Sequence, residues 1–385
     1  MNNHDLIRLA ITNLANHIKK EISTKTNYVI SKPTLVYAST TCRCPLQCRM
    51  CNVWERATKR DELSTSQWKS ILKDLKNYIG TFHINFGGGE PFIRKDMIEI
   101  LRFSAELGIN TGVVTNGFYI TDELAKRIIE SGIFNINISL DGMSSDSVDW
   151  IRKHNGLYKK VKNGINRLAY YKYERKSDIK IIIKPILFKQ NLNEIVDLIN
   201  WAEKIGINGV NISPLMEWTP ECQHMWINDY DRLDNVVDTL IKRKRDGAPI
   251  LNSINHLNLI KRYYNNPNIV KSRNDRCDVG VSQIFINQVG NVSYCWEFPP
   301  IGNIKEGIKS IWKSDNARTI RKQTMNCNKN CVAVCLTKKT LKDKFILFSD
   351  LIKRKKKSYK NSPLPIPSRI PNKTSELKSI IKEHG

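Results

Sequence analysis

No apolar run in this chain approaches the ~18–20 residues that cross a bilayer. Its first residues, MNNHDLIRLAITNL, lack the apolar stretch and small-residue cleavage site of an export signal. The expectation is a soluble chain that stays in the cytoplasm. Acidic residues are scarce as well: 37 Asp and Glu face 62 Lys and Arg, a net charge of +25. That balance favours an anionic partner such as nucleic acid, acidic lipid or an acidic peptide, and identifies none of them. The basic excess is uneven, since 14 Lys and Arg against 4 Asp and Glu put +10 into the stretch from Thr337 to Gly385. Apolar residues are not lacking. With 41% hydrophobic and 26% charged residues over 385 positions, global disorder is excluded and a sizeable core can form.

Ten cysteines stand out against this background, at positions 42, 44, 48, 51, 222, 277, 295, 327, 331 and 335. Without an export signal, close-spaced thiols read as metal ligands or redox groups rather than a disulfide framework. Between the two groups the chain alternates. Strand-like runs at 34–40, 81–86, 110–115, 135–140, 179–187 and 209–215 are separated by amphipathic helical patterns such as STSQWKSILKDLKNYIG and TDELAKRIIESG, capped by Ser or Thr and ended by Gly. Six such units predict a parallel α/β sheet, either open and doubly wound or rolled into a barrel. In both, chemistry collects at the C-terminal ends of the strands. The residues there are CRCPLQCRMC, GGGEP, NG, DG, FKQN and MEW.

Cys44-x3-Cys48-x2-Cys51 follows the first strand. Three thiols leave one position of a tetrahedral zinc ion unfilled, and a cubane cluster normally takes four thiolates. The spacing resembles the signature of the radical S-adenosylmethionine (SAM) superfamily. Phe86-Gly87-Gly88-Gly89-Glu90-Pro91 is similar to that family's GGEP motif after the second strand, and Ile138-Ser139-Leu140-Asp141-Gly142 to its SLDG motif after the fourth. The resemblance runs from about residue 34 to 215. It implies a partial (β/α)6 TIM-like barrel over 34–246, a [4Fe–4S] cluster on Cys44, Cys48 and Cys51, and SAM chelating the open iron. It also implies cofactor contacts at Gly88, Gly89 and Glu90 for the amino group, and at Ser139 and Arg152 for the carboxylate. Asn116, Asn191 and Pro214 are expected near ribose and adenine. Alternatively, Asp141 is a turn residue, Arg152 a solvated helix residue and Cys42 a buried strand-end thiol. One departure is Met50, which stands where the family usually has an aromatic residue.

Later, SQIFINQVGNVSYCW (282–296) reads as a hairpin, KSIWKSDNARTIRKQ as one helix, and Cys327, Cys331 and Cys335 follow. Cys277-x12-Gly290-x4-Cys295 resembles the opening of SPASM and twitch extensions, which carry auxiliary iron–sulfur clusters. The implied ligands are Cys277, Cys295 and two of Cys327, Cys331 and Cys335, within a domain at 247–336. A four-thiolate zinc ion accepts the same set. Residues 1–33 are expected to be helical and 337–385 a basic tail, partly disordered or an amphipathic helix suited to an anionic membrane or a partner. Cys222 is a candidate hydrogen-atom donor, against the reading of an incidental loop cysteine.

These implications add up to an enzyme that cleaves SAM reductively and takes hydrogen from a peptide or sugar-like metabolite, with a reductant such as flavodoxin or ferredoxin. RNA modification and a non-catalytic electron-transfer role are the alternatives. The basic run Lys353–Lys357 lacks interleaved aromatics, which argues against nucleic acid.

Overall fold

A computed structural model describes residues 29–56, 62–266 and 277–327, with residues 15, 18–23 and 26 ahead of them. The expected N-terminal helix falls mostly outside these residues, though 18–23 are helical. The tail at 337–385, Cys331 and Cys335 lie outside them altogether. By its contacts the chain divides at Val332/Ala333, and the description that follows concerns the first unit.

The first strand, β1 (Leu35–Thr41), buries every second residue, the mark of a sheet with two unlike faces. Strands β2 (His83–Gly88), β3 (Asn110–Thr115), β4 (Asn135–Ile138) and β5 (Lys180–Ile183) follow it in parallel and in sequence order, then β7 (Gly209–Val210). The crossovers are α1 (Thr65–Ile79), α2 (Met97–Glu106), α3 (Asp122–Ile129), the pair α4 (Ser145–Arg152) and α5 (Leu157–Glu174), and α6 (Ile195–Lys204). The six predicted strands are present, in the order a partial barrel requires.

Two predicted strands are interrupted. The run 179–187 divides into β5 and β6 (Ile186–Leu187), with Lys184-Pro185 between them; Pro185 has no N–H for a ladder. The run 209–215 divides into β7 and β8 (Ser213–Pro214), and β6 and β8 pair as a small second sheet. The predicted helix near 309–323 is also two, α11 (Ile308–Lys313) and α12 (Asp315–Met325). Ser314 takes an extended conformation between them and accepts from the Ala317 N–H as an N-cap.

One face of the sheet carries Val36, Ala38, Ile84, Phe86, Val113, Ile136 and Ile181, all at most 1% exposed. Trp68 of α1 meets Phe86 edge-on, which places this face against the helices. Each large apolar side chain so buried contributes on the order of 1.5–3 kcal/mol. The opposite face is more polar, with Tyr37, Asn85, Gly112 and Asn135 in one register row. A Cβ on Gly112 would come within 2.6 Å of the side-chain oxygens of Asn85 and Asn135, so glycine makes room for both amides.

The C-terminal hairpin does not form a separate sheet. After α7 (Cys222–Met225), α8 (Tyr230–Arg245), α9 (Ile254–Asn265) and α10 (Val279–Ser282), strand β9 (Gln283–Ile286) joins the free edge of β1 in parallel. Strands β10 (Asn291–Ser293) and β11 (Gly302–Asn303) extend the sheet outward, antiparallel. The β7 edge is covered by the segment at 249–252, where Val210 and Leu251 exchange backbone bonds with Pro249 and Val210, and Asn252 bonds Ile212. No helix among the described residues is long and apolar enough to cross a membrane.

Candidate functional site

The loop after β1 carries Cys44, Cys48 and Cys51, with Cys48 buried and the other two half-buried. A backbone bond from Cys51 N to Cys48 O (3.1 Å) turns the loop back on itself. Donors converge on the sulfurs. Cys44 Sγ accepts from Leu46 N at 3.5 Å and from Asn116 Nδ2 at 3.4 Å, and Cys48 Sγ receives Arg152 Nη1 at 3.8 Å. Burial pushes the Cys44 thiol up to about 12, helped by the neighbouring Cys48 and Cys51. It raises Cys48 too, although the Arg152 charge opposes the shift. Such thiols lose their protons when a cation arrives to compensate the charge.

A glycine turn backs the loop. A Cβ on Gly88, at φ +123°, would stand 2.2 Å from Thr41 O, and one on Gly89 would stand 2.3 Å from Arg43 O. Gly89 N and Glu90 N donate to those two carbonyls at 2.7 and 2.8 Å. The glycines are therefore needed for close approach to the cysteine loop itself. Glu90 is fully buried, and its carboxylate accepts from Thr115 Oγ1 (2.8 Å), Asn116 N (2.8 Å) and Phe92 N (3.1 Å). Burial raises Glu90 to about 7 against these three donors. It clamps the end of β2 to the end of β3 and, through Asn116, to Cys44.

Arg152 is not solvated; it is 8% exposed. Asp141 Oδ2 accepts from its Nε (2.7 Å) and lies 2.6 Å from its Nη2, while Oδ1 accepts from Ile186 N at 2.9 Å. Burial alone would lower the guanidinium, but the Asp141 and Cys48 charges hold it above its ordinary value. Asp141 is thus the counter-ion that aims Arg152 at Cys48. Asn191, expected at the cofactor, has both groups of its amide engaged: Nδ2 donates to Asp141 O and Ile186 O, and Oδ1 accepts from Phe188 N. It is fully buried and holds the Asp141 loop against β6.

A second set of thiols gathers at the hairpin. Cys277 senses both Cys327 and Cys295 electrostatically, and burial pushes it up to about 12 while a bond from Val279 N lowers it. A tetrahedral zinc ion would hold its sulfurs about 3.8 Å apart, given Zn–S near 2.3 Å. Among the described residues no three His, Cys, Asp or Glu side chains are gathered closely enough to hold a single metal ion. Cys331 and Cys335, the remaining candidate ligands, lie outside the described residues, and zinc and a cubane accept the same thiolates.

Comparison with known proteins separates the same two regions. Residues 38–202 match the model of the radical SAM superfamily, and residues 277–336 match that of the SPASM iron–sulfur cluster-binding domain. This chain carries a radical SAM domain and a SPASM domain. The first domain implies a [4Fe–4S] cluster with SAM, and the second implies a further cluster. The PqqA peptide cyclase of Bradyrhizobium diazoefficiens is 30% identical over 197 residues, 51% of this chain and 50% of that protein. The AdoMet-dependent heme synthase of Methanosarcina barkeri is 24% identical over 303 residues, 75% of this chain and 84% of that protein. Streptococcus suis SuiB bound to the precursor peptide SuiA superposes with a TM-score of 0.60 at 19% identity, covering 80% of this chain and 71% of that one, a likeness of fold. The chain spans about half the length of the PqqA peptide cyclases it matches.

Within the radical SAM barrel, Gly88, Gly89, Glu90, Asn116 and Arg152 surround the cysteine loop. Ser139 is tied to the neighbouring strand end by its N–H on Thr115 O (2.9 Å). Pro214 is buried in β8, and Met50 is 4% exposed. Cys42 is a buried strand-end thiol, raised by burial. Cys222 is fully buried, with its thiol 3.4 Å from both Met216 O and Thr219 Oγ1, so it packs its own loop rather than facing an open site.

Several supports of the site were not foreseen. Arg49 donates to Trp150 O (3.0 Å) and Glu221 (2.9 Å) and stacks on the Trp150 ring. Glu62 receives a fork from Arg43, and Glu194 accepts from Met143 N, Ser144 and Ser147, fixing the turn after Asp141. A Cβ on Gly142 would come 2.4 Å from Glu194 Oε2, so the Asp-Gly pair carried the one available signal for that contact.

Proposed function

We propose that the chain is a SAM-dependent, peptide-modifying enzyme that holds one [4Fe–4S] cluster on Cys44, Cys48 and Cys51 and a second on Cys277, Cys295, Cys327 and one of Cys331 and Cys335. When bound, the first cluster with SAM supplies one electron that breaks the C5′–S bond, giving methionine and a 5′-deoxyadenosyl radical that takes a hydrogen atom from the substrate. Three thiols rather than four leave a position for the amine and carboxylate of SAM. The turn at Gly88, Gly89 and Glu90 frames the amine. Ser139 and Arg152 meet the carboxylate; Asp141 occupies the Nε side of the guanidinium through one oxygen and Nη1 reaches Cys48, which leaves the outer Nη1–Nη2 end for the ligand. Asn116, with its amide on Cys44, stands next to them.

The observation that carries this reading is the convergence of N–H donors and one buried cation on thiols of a single loop. A peptide as substrate is supported by the names of the relatives, PqqA peptide cyclase, and by the precursor peptide seated in SuiB. The net charge of +25 suits an acidic, low-potential carrier such as a flavodoxin or ferredoxin as reductant. The test is anaerobic reconstitution, addition of SAM and dithionite, and quantification of 5′-deoxyadenosine by mass spectrometry. Product in the parent and none in a Cys44/Cys48/Cys51→Ala variant is the expected result; no product from a fully loaded parent overturns the reading.

A further inference from the structure

Trp218 and Trp296 are 44% and 42% exposed, an unusual place for two of the largest apolar side chains. They are not isolated. Their rings meet edge-on at 5.9 Å, Trp296 meets Phe285 at 5.7 Å, and Phe285 stacks on Tyr37 at 4.7 Å. The four come from different elements. Trp218 follows β8 in the loop that Thr219 fastens to the cysteine loop through Arg49 O, and Trp296 directly follows Cys295. Phe285 lies on β9 and Tyr37 on β1, in register, on the polar face opposite the helices. A continuous aromatic strip therefore leads from the solvent surface, past the second thiol set, to the inner face of the barrel.

We infer that this strip, with Trp218 and Trp296 at its outer end, is the docking track for an extended peptide segment carrying aromatic or large aliphatic side chains at alternate positions. The inference rests on the peptide-modifying reading above. The place of the inner rungs selects an extended chain. The inner rungs sit on a strand face inside a barrel, which neither a membrane surface nor a second folded copy can reach. In an extended chain every second side chain faces the same way, about 6.6 Å apart, so residues two positions apart meet the strip together. The edge-on Trp pair is too close to admit a ring between its members, so the peptide lies on the exposed faces. Aromatic anchors of this kind dominate binding energy at interfaces.

The test uses the full-length, cluster-loaded protein and a phage-displayed library of random 12-residue peptides. The parent should enrich peptides with aromatic or large aliphatic residues two positions apart. A Trp218→Ala/Trp296→Ala variant with the parent's iron content should lose that enrichment, and the Trp218→Phe/Trp296→Phe variant should keep it. For one enriched peptide, fluorescein-labelled and followed by anisotropy, the double alanine variant should bind about 30-fold more weakly. Enrichment that ignores side-chain spacing, or that survives the alanine variant, overturns the inference. So does a strip that selects peptides only after residues 337–385 are removed, since the occupant would then be the tail. Concentration-dependent dimerisation lost in the alanine variant, or binding of phosphatidylglycerol vesicles lost with the two rings, would name a second copy or a membrane instead. A parent that makes 5′-deoxyadenosine but shows no such track sinks this inference alone. A parent that makes none sinks the functional reading and leaves the peptide-binding result to stand by itself.

Discussion

Replacing Asp141 with Ala leaves the Arg152 guanidinium buried without its anion. Arg152 is 8% exposed and Asp141 fully buried, so solvent screens the pair poorly. The substitution removes two close N–O contacts, at 2.6 and 2.7 Å, and strands the Ile186 N–H as well. Breaking a buried pair by removing one partner costs about 3–5 kcal/mol. At about 2 °C per kcal/mol for a unit of this size, the melting temperature should fall by about 6–10 °C. The control is Asp141→Ala/Arg152→Met, which removes the unpaired charge together with its partner. It should regain about half of the loss: apolar replacement of both partners is near neutral, while the Ile186 N–H still lacks its acceptor. Loading separates stability from the site: both variants should hold less iron than the parent, since one loses the anion that aims Arg152 at Cys48 and the other loses the cation itself. Melting followed by circular dichroism at one scan rate, with iron and sulfide counted on the same samples, decides the matter. A fall of less than about 2 °C in the single variant, or a double variant no better than the single, refutes the assignment of Asp141 as counter-ion.

Gly88→Ala should abolish cluster loading at Cys44, Cys48 and Cys51, because its Cβ would sit 2.2 Å from Thr41 O at φ +123°; a parent-like iron count after reconstitution would contradict this. The reconstituted parent should hold about eight irons per chain. A Cys44/Cys48/Cys51→Ala variant and a Cys277/Cys295/Cys327→Ala variant should each hold about four. Lys172 is lowered to about 8 by burial and by Lys180. Between pH 8 and about 10.4 the unfolded chain therefore binds more protons than the folded one, and stability rises with pH across that window. Lys172→Met should flatten the rise in urea midpoints between pH 7.5 and 9.5; an equal slope in both proteins would show that Lys172 is not its source.

Local chemistry was legible in the sequence where neighbours along the chain set it. The cysteine loop, the glycine turn and the hairpin at Val289-Gly290-Asn291 are runs of adjacent residues, and each forms where its motif lies. The interruptions of the strand at 179–187 and of one helix carried signals in Pro185 and in the capping sequence Ser314-Asp315-Asn316, and the apolar runs masked them. The partners of the site were hidden for another reason. Arg49 and Glu221 are 172 positions apart, Ser147 and Glu194 are 47 apart, and nothing in the local pattern of either residue names the other. Arg152 illustrates both sides. Its place in the motif singled it out, while its burial and its pairing with Asp141 depend on where β6 puts the Ile186 N–H.

The pairing of β9 with β1 has a consequence for the order of events during synthesis. Thr34 N bonds Ser282 O, and Ser31 Oγ bonds Val281 O across 250 positions of sequence. Translation supplies β1 and the thiol loop after it long before β9, yet the outer edge of β1 finds a neighbour only when residues 283–286 leave the ribosome. Through that interval an unpaired strand is open to other nascent chains. A shortened product ending before Gln283 would keep all three cysteines of the first site and lack the seam that closes beside them. Its fate should be aggregation rather than a smaller working barrel.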